Sequence, residues 1–197
     1  MGKEPDNKRV PEAAVDKLFI NRWSPRALDP SPPIPQETLQ TLFEAARWSP
    51  SCFNEQPWLF MYADTPETRA TYMEILAEGN RVWCKNAPVL AILFARRRFA
   101  HNNKPNGWAV FDCGAAWMSL TVQARLLGLY THGMAGFSKE SAYSLLGVPQ
   151  EDYEAVCAIA IGRYGDPASL PADLREMENP NGRKPLASVA QRGLFKA

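Results

Sequence analysis

Apolar positions along the chain recur at two spacings, and the alternation between them predicts layers of helix and strand. Leu39, Leu42, Phe43 and Ala46 stand at i, i+3, i+4 and i+7, the mark of one buried helix face. Pro35 falls near the first turn of that helix, where a proline is tolerated, and the pattern stops near Arg47. Val15, Leu18 and Phe19 give an apolar face to an earlier helix, expected from Pro11 to about Arg22. Residues 57–63 (PWLFMYA), 88–95 (PVLAILFA) and 154–163 (EAVCAIAIGR) are apolar runs of strand length. The second is almost unbroken, as expected of a strand covered on both faces.

The remaining segments fill in around these. Residues 29–35 carry four prolines and cannot continue a helix. Residues 66–78 read as helix stopped by Gly79, with a short linking segment at 81–87. Residues 108–127 form the longest helix, with a surface of small residues (Gly114, Ala115, Ala116, Ser119) and Gly128 as its C-cap. Residues 130–137 (YTHGMAGF) read as a strand that ends in a ligand-facing loop. Ser138 caps a helix over 139–146 that Gly147 and Pro149 close. The polar stretch 99–107 is an exposed loop, a candidate lid or partner contact. Residues 1–10 are polar and charged, which predicts a flexible leader and no signal peptide. A single domain then spans 11–197, its last part, from about 166, an arm packed over a neighbour. Strands alternating with helices indicate an α/β or α+β layered fold.

Charge and cysteine content narrow the function classes. A formal net charge of +1 over 197 residues argues against a broad nucleic-acid-binding face. Neither of the two histidines lies near the other or near a cysteine pair, so no local zinc site is expected. Cys52, Cys84, Cys113 and Cys157 are scattered, which fits a reduced, cytoplasmic protein. No run reaches the roughly twenty apolar residues of a membrane span. The absence of Gly-x-Gly-x-x-Gly after the first strand argues against a Rossmann nicotinamide domain.

Two stretches carry candidate chemistry. Residues 48–58 (WSPSCFNEQPW) connect a helix to a strand. Pro50 disfavours helical geometry at Ser49, which frees nearby hydroxyls and amides to face a ligand. A polar loop plugged by Trp48 and Phe53 is the plain alternative. In residues 21–26 (NRWSPR), Arg22 and Arg26 flank Ser24. Two planar guanidinium forks and a hydroxyl suit a phosphate monoester. Arg163, after Gly162, and Arg183, in PNGRKPL, are candidates for the same anion, although each of the four also reads as a surface arginine. Cys52 is a tempting nucleophile but has no histidine or lysine partner in sequence. His132 reads as structural rather than as a proton donor, and Asp112 reads as a helix-surface residue, with a substrate-facing or dimer-facing position as the alternative. No side chain is assigned a catalytic proton.

These stretches resemble the nitroreductase family of flavoproteins, in which an Arg-x-Ser-x-Arg run precedes a Pro-Ser, an Asn and a Gln-Pro-Trp entering a strand. The resemblance implies a three-layer α/β/α sandwich of α+β class, with a mostly antiparallel central sheet and an extended C-terminal arm. It further implies an FMN-dependent oxidoreductase, fed by NADPH or NADH, that reduces nitroaromatic, quinone or enone acceptors by ping-pong hydride transfer through flavin N5. Arg22, Trp23, Ser24 and Arg26 then fall to the FMN phosphate and ribityl chain. Pro50, Ser51, Cys52, Asn54 and Gln56 lie near the ribityl or ring, and Gly133, Met134, Ala135 and Gly136 near the ring. Arg183 has a phosphate role, with Arg163 a weaker match. An intertwined homodimer with FMN at the interface is implied as well, as are the alternatives of a non-catalytic FMN-binding or redox-sensing protein and a specialised branch such as a dehalogenase. Two departures stand out: Trp23, where a polar residue is common, and Ala135, where some relatives carry Glu.

Overall fold

The computed structural model describes residues 4–195. In chain order the elements are α1 (Lys17–Asn21), β1 (Leu28–Asp29), α2 (Gln36–Arg47), β2 (Trp58–Ala63), α3 (Pro66–Ile75), α4 (Glu78–Cys84), β3 (Val89–Arg96), α5 (Ala109–Leu126), β4 (Tyr130–Met134), α6 (Lys139–Leu146), β5 (Tyr153–Tyr164) and α7 (Ala172–Glu176). Every strand pair is antiparallel, and β5 is the hub, pairing with β1, β3 and β4 while β2 pairs with β3.

Strand periodicity explains the layers. In β3, Leu90, Ile92 and Phe94 enter one core with Tyr72 and Ile75 of α3, Trp83 of α4 and Tyr143 of α6. Val89, Ala91, Leu93 and Ala95 alternate to the other side, against Leu39 and Leu42 of α2 and Cys113, Ala116 and Leu120 of α5. β3 is thus buried on both faces, as its unbroken apolar run predicts. A bulge sets Val156 of β5 between the pairs Leu93–Cys157 and Phe94–Ala155. It shifts the alternation, so Ala155 shares a core with Ala158 and Ala160. The result is the expected α+β sandwich of three layers.

Three expectations are corrected. The first helix does not start at Pro11: it is five residues long, begins after Asp16, whose carboxylate accepts from the Leu18 N–H at 2.7 Å, and buries no residue. Val15 and Phe19 are about half exposed, so their helical spacing does not mark a core face. Gly79 does not stop a helix. α3 ends at Ile75 and Gly79 lies inside α4, because the break comes earlier, where extended Leu76 pairs with Phe137. Asp112 is not on the surface of α5 but buried, at 3% exposure. α5 itself is apolar nearly all round, and Trp108, just before it, together with Phe111 and Leu126, projects outward.

Candidate functional site

Residues 22–27 connect α1 to β1 without regular structure, with a bend at Arg26, and their burial alternates. Trp23, Pro25 and Ala27 are buried, while Arg22, Ser24 and Arg26 are partly open. The Arg-x-Ser-x-Arg spacing therefore puts the three polar residues on the more open side of the segment. The same alternation corrects Trp23 as a side-chain contact: its indole packs in the core against Tyr130 and Tyr164, leaving only backbone toward the open face. Arg22 Nη1 donates to Ser24 Oγ at 3.3 Å.

Two residues absent from the sequence-based candidate set hold this face in place. Glu178 is buried, and its carboxylate accepts from the N–H groups of Arg26 (2.9 and 3.1 Å) and Ala27 (2.8 Å). That contact lays the C-terminal arm along the arginine segment. Arg9, in the leader, donates through Nη1 to the carbonyls of Ile20 and Arg22 and through Nε to that of Asn181. Burial lowers the Arg9 pKa, and nearby Arg183 and then Arg22 lower it further; Arg22 is lowered by burial and then by Arg183. Among the described residues, none of the three forms an ion pair with a carboxylate. Three cations from positions 9, 22 and 183 thus share one site with no ion-paired counter-charge. Neither Arg9 nor Glu178 sits in a readable motif, since each acts on residues far away in the chain.

Beneath this face lies His132. Its Nδ1 is 3.0 Å from the Pro25 carbonyl, and its ring packs on Trp83. Burial pushes its pKa down to about 4; the charges of Arg26 and Arg22 add to that, and backbone hydrogen bonds at Pro25 and Ser24 partly offset it. His132 is therefore neutral at pH 7, and the structural reading of this residue fits. The next residue, Gly133, is pressed against α5: a Cβ there would come within 2.7 Å of the Trp117 indole. Met134 is buried with its sulfur 3.4 Å from Cys84 Sγ, so like Trp23 it has only backbone to offer. Ala135 is exposed, and the Gly136 carbonyl accepts from Ala77 N–H and Asn80 Nδ2.

The corner between α2 and β2 is built differently. Phe53, Asn54 and Gln56 have φ of 54°, 56° and 50°, a cluster of left-handed non-glycine residues, and such conformations concentrate where surroundings force them. Here the surroundings are specific. Buried Asp112 accepts from the Cys52 N–H at 3.1 Å, Ser51 Oγ from the Gln56 N–H at 2.9 Å, and Ser49 and Ser119 share a 2.7 Å bond. The Gln56 amide donates to Asn54. Glu55 accepts from the Ala100 N–H and meets His101, so the 99–107 loop is docked on the corner, with Phe53 against Phe99 and His101. Pro50 precedes this turn and is exposed.

The sequence profile of the Nitroreductase family matches residues 20–82 and 77–163, which takes in the arginine segment, the corner and the glycine-bearing strand end. The chain belongs to the nitroreductase family. A crystal structure described as an oxidoreductase containing FMN superposes with a TM-score of 0.91 at 43% identity, covering 98% of this chain and 99% of that one. A Streptomyces coelicolor protein named as an NADH dehydrogenase/NAD(P)H nitroreductase is 27% identical over 182 residues, 83% of this chain and 91% of that one. A CLA biosynthesis enone reductase from Lactiplantibacillus plantarum is 24% identical over 182 residues, 74% of this chain and 83% of that one.

Within this nitroreductase-family chain the predicted residues fall into three groups. Arg22 neighbours Ser24 and Arg183, Arg26 lies on the same segment, and His132, which meets Pro25 between Ser24 and Arg26, leads into the Gly133–Gly136 strand end. Ser51, Cys52, Asn54 and Gln56 form the corner. Among the described residues no hydrogen bond joins the corner to the arginine segment. Arg163 stands apart: its guanidinium donates to the Pro32 carbonyl at 3.2 Å, because its register opposite Asp29 points it toward the proline-rich connection.

Proposed function

We propose that the protein is an FMN-dependent oxidoreductase that takes a hydride from NADPH or NADH and passes it to a small acceptor of nitroaromatic, quinone or enone type. The observation that carries this reading is the arginine cluster: three guanidiniums held close without an ion-paired carboxylate fit the phosphate of FMN, whose charge would relieve their repulsion. The relative named as an enone reductase supports counting enones among the acceptors.

In this reading Arg22 and Arg183, backed by Arg9, hold the phosphate, Ser24 lies beside Arg22, and Arg26 adds a further cation on the same segment. The corner residues Pro50, Ser51, Cys52, Asn54 and Gln56 and the strand end Gly133–Gly136 frame the ribityl chain and ring. Trp23 and Met134 contribute backbone alone, and Arg163 is left out. When bound, the flavin supplies the hydride chemistry, and the protein binds and orients it. Neutral His132 keeps a second-row positive charge away from the arginine face at pH 7 and fixes Pro25 beneath it.

A second copy of the chain completes the site. The corner and the arginine segment make no mutual hydrogen bond, so each copy would lend one group to its partner's flavin. Exposed Trp48 and Phe53 of the corner, with Trp108 and Phe111 beside α5, supply apolar surface for that contact, and a Cβ at Gly114 would meet nothing within 4 Å, leaving α5 open to close approach. No helix among the described residues is long and apolar enough to cross a membrane, and a reducing cytoplasmic setting fits the four free cysteines.

The test is an anaerobic absorbance spectrum of the purified protein, taken before and after NADPH and then NADH. Flavin bands should bleach and return on adding a nitroaromatic. Bands that persist with both donors would indicate the binding-protein alternative, and a protein that takes up no FMN would end the reading. Arg22→Ala should weaken FMN binding by about 100-fold, the scale of one charge-assisted pair, measured by flavin fluorescence quenching.

A further inference from the structure

We propose that Arg9 is a positioning residue that fastens the leader and the C-terminal arm over the anion site, so that the grip of Arg22 and Arg183 on a phosphate depends on it. The inference rests on the FMN reading and extends it to a residue outside every motif.

The geometry is specific. One guanidinium reaches three carbonyls on two distant segments: Nη1 lies 3.0 Å from Ile20 O and 2.7 Å from Arg22 O, and Nε lies 2.6 Å from Asn181 O, 172 residues away. Asn181 O also accepts from Arg183 Nη1 at 3.3 Å. A single side chain therefore grips the backbone of Arg22 directly and that of Arg183 at two residues' remove. A planar fork with donors at fixed angles suits this bridging, and a lysine ammonium on a flexible stem does not.

Beyond Glu178 the arm meets the leader again where Glu12 accepts from the Leu186 N–H at 3.2 Å. Between leader and arm lies a cavity of about 720 Å³, lined by Arg9 and Arg183 together with Val10, Phe19, Leu186 and Val189. With open space where apolar packing would otherwise hold the arm, polar clasps carry the closure. The cost is a third cation beside two others, which carbonyl dipoles offset in part and a bound phosphate would offset further. Closure and anion binding are then linked, each favouring the other.

The experiment titrates FMN and riboflavin, which lacks the phosphate, into flavin-stripped full-length wild type, Arg9→Ala and Arg9→Lys, and follows trypsin cleavage after Arg183 with and without FMN. Arg9→Ala should bind FMN about 10-fold more weakly, as for loss of a charge-assisted contact, with riboflavin affinity unchanged, faster arm cleavage and little protection by FMN. Arg9→Lys should resemble Arg9→Ala. Wild-type FMN affinity in Arg9→Ala would overturn the inference while leaving the FMN reading intact. Equal loss for FMN and riboflavin would reduce Arg9 to general structure, and full rescue by Arg9→Lys would show charge without bridging; either overturns it. Wild type that binds no FMN would overturn both.

Discussion

The arginine segment at 22–27 and the corner at 51–56 both present polar groups at the candidate site, and they do so by opposite means. The first is a connecting segment in which side chains carry the chemistry: Trp23, Pro25 and Ala27 enter the core, and Arg22, Ser24 and Arg26 are partly open. The second spends its side chains on itself, with Ser51, Asn54 and Gln56 bonded within the turn, and holds its backbone left-handed at three non-glycine residues. The first region needs distant tethers, Arg9 and Glu178, to set where its charges sit. The second needs one buried acid, Asp112, and a docked loop to keep a conformation its residues would not choose alone. A site half made of side chains is thus tuned by what packs behind it, and a site half made of backbone by what prevents it from relaxing.

The largest effect that would break this comparison concerns the support under the arginine segment. His132 has an ordinary pKa near 6.5, depressed in the fold to about 4. Above pH 6.5 it is neutral folded or unfolded and contributes nothing. Below that the unfolded chain binds a proton that the folded chain refuses, so stability is lost as pH falls from 6.5 toward 4, by up to about 3 kcal/mol. Urea midpoints at pH 7.5, 6 and 5 should fall more steeply for wild type than for His132→Asn, which keeps a donor toward Pro25 without titrating there. Parallel slopes would remove His132 as the partly buried neutral support.

Next is the acid beneath the corner. Asp112→Ala leaves the Cys52 N–H without its acceptor and should destabilise by about 2 kcal/mol, whereas Asp112→Asn retains an oxygen and should lose less. Chemical denaturation of the two variants checks this, and equal losses would mean that charge and not the acceptor holds the turn. The smallest effect tests the strain itself. Phe53 is 80% exposed with φ of 54°, so Phe53→Gly relieves a left-handed residue at little cost in burial. It should stabilise by about 1 kcal/mol, read as a rise in thermal midpoint. A fall would show that the Phe53 contacts with Phe99 and His101 outweigh the strain, and would bring the corner closer to the arginine segment in kind.

Which parts were legible in advance follows the same division. The unbroken run of β3, the helical spacing of Leu39, Leu42, Phe43 and Ala46, the cap at Ser138 and the Gly147 stop all appear where their patterns point, because periodicity and capping are properties of neighbouring residues. The Arg-x-Ser-x-Arg spacing was legible for the same reason. Asp112 is an isolated acid in an otherwise apolar stretch of helix, a local signal of a buried acceptor, but which group it accepts from is set 60 residues away. Val15 and Phe19 show the converse: helical spacing where the helix is five residues long, starts after Val15 and buries nothing.

By itself, then, the sequence determined the main helices and strands from α2 to β5, the two-sided burial of β3, the spacing of the arginine segment and the family. Tertiary structure alone decided that Arg9 meets Asn181, that Glu178 fastens the arm to Arg26 and Ala27, and that Phe53, Asn54 and Gln56 are held left-handed. The physical reason is range. Burial and periodicity act residue by residue along the chain, while a bond across 150 or more residues, or a strained turn clamped by a helix 60 residues away, exists only after the rest of the chain has packed and brought its partners within reach.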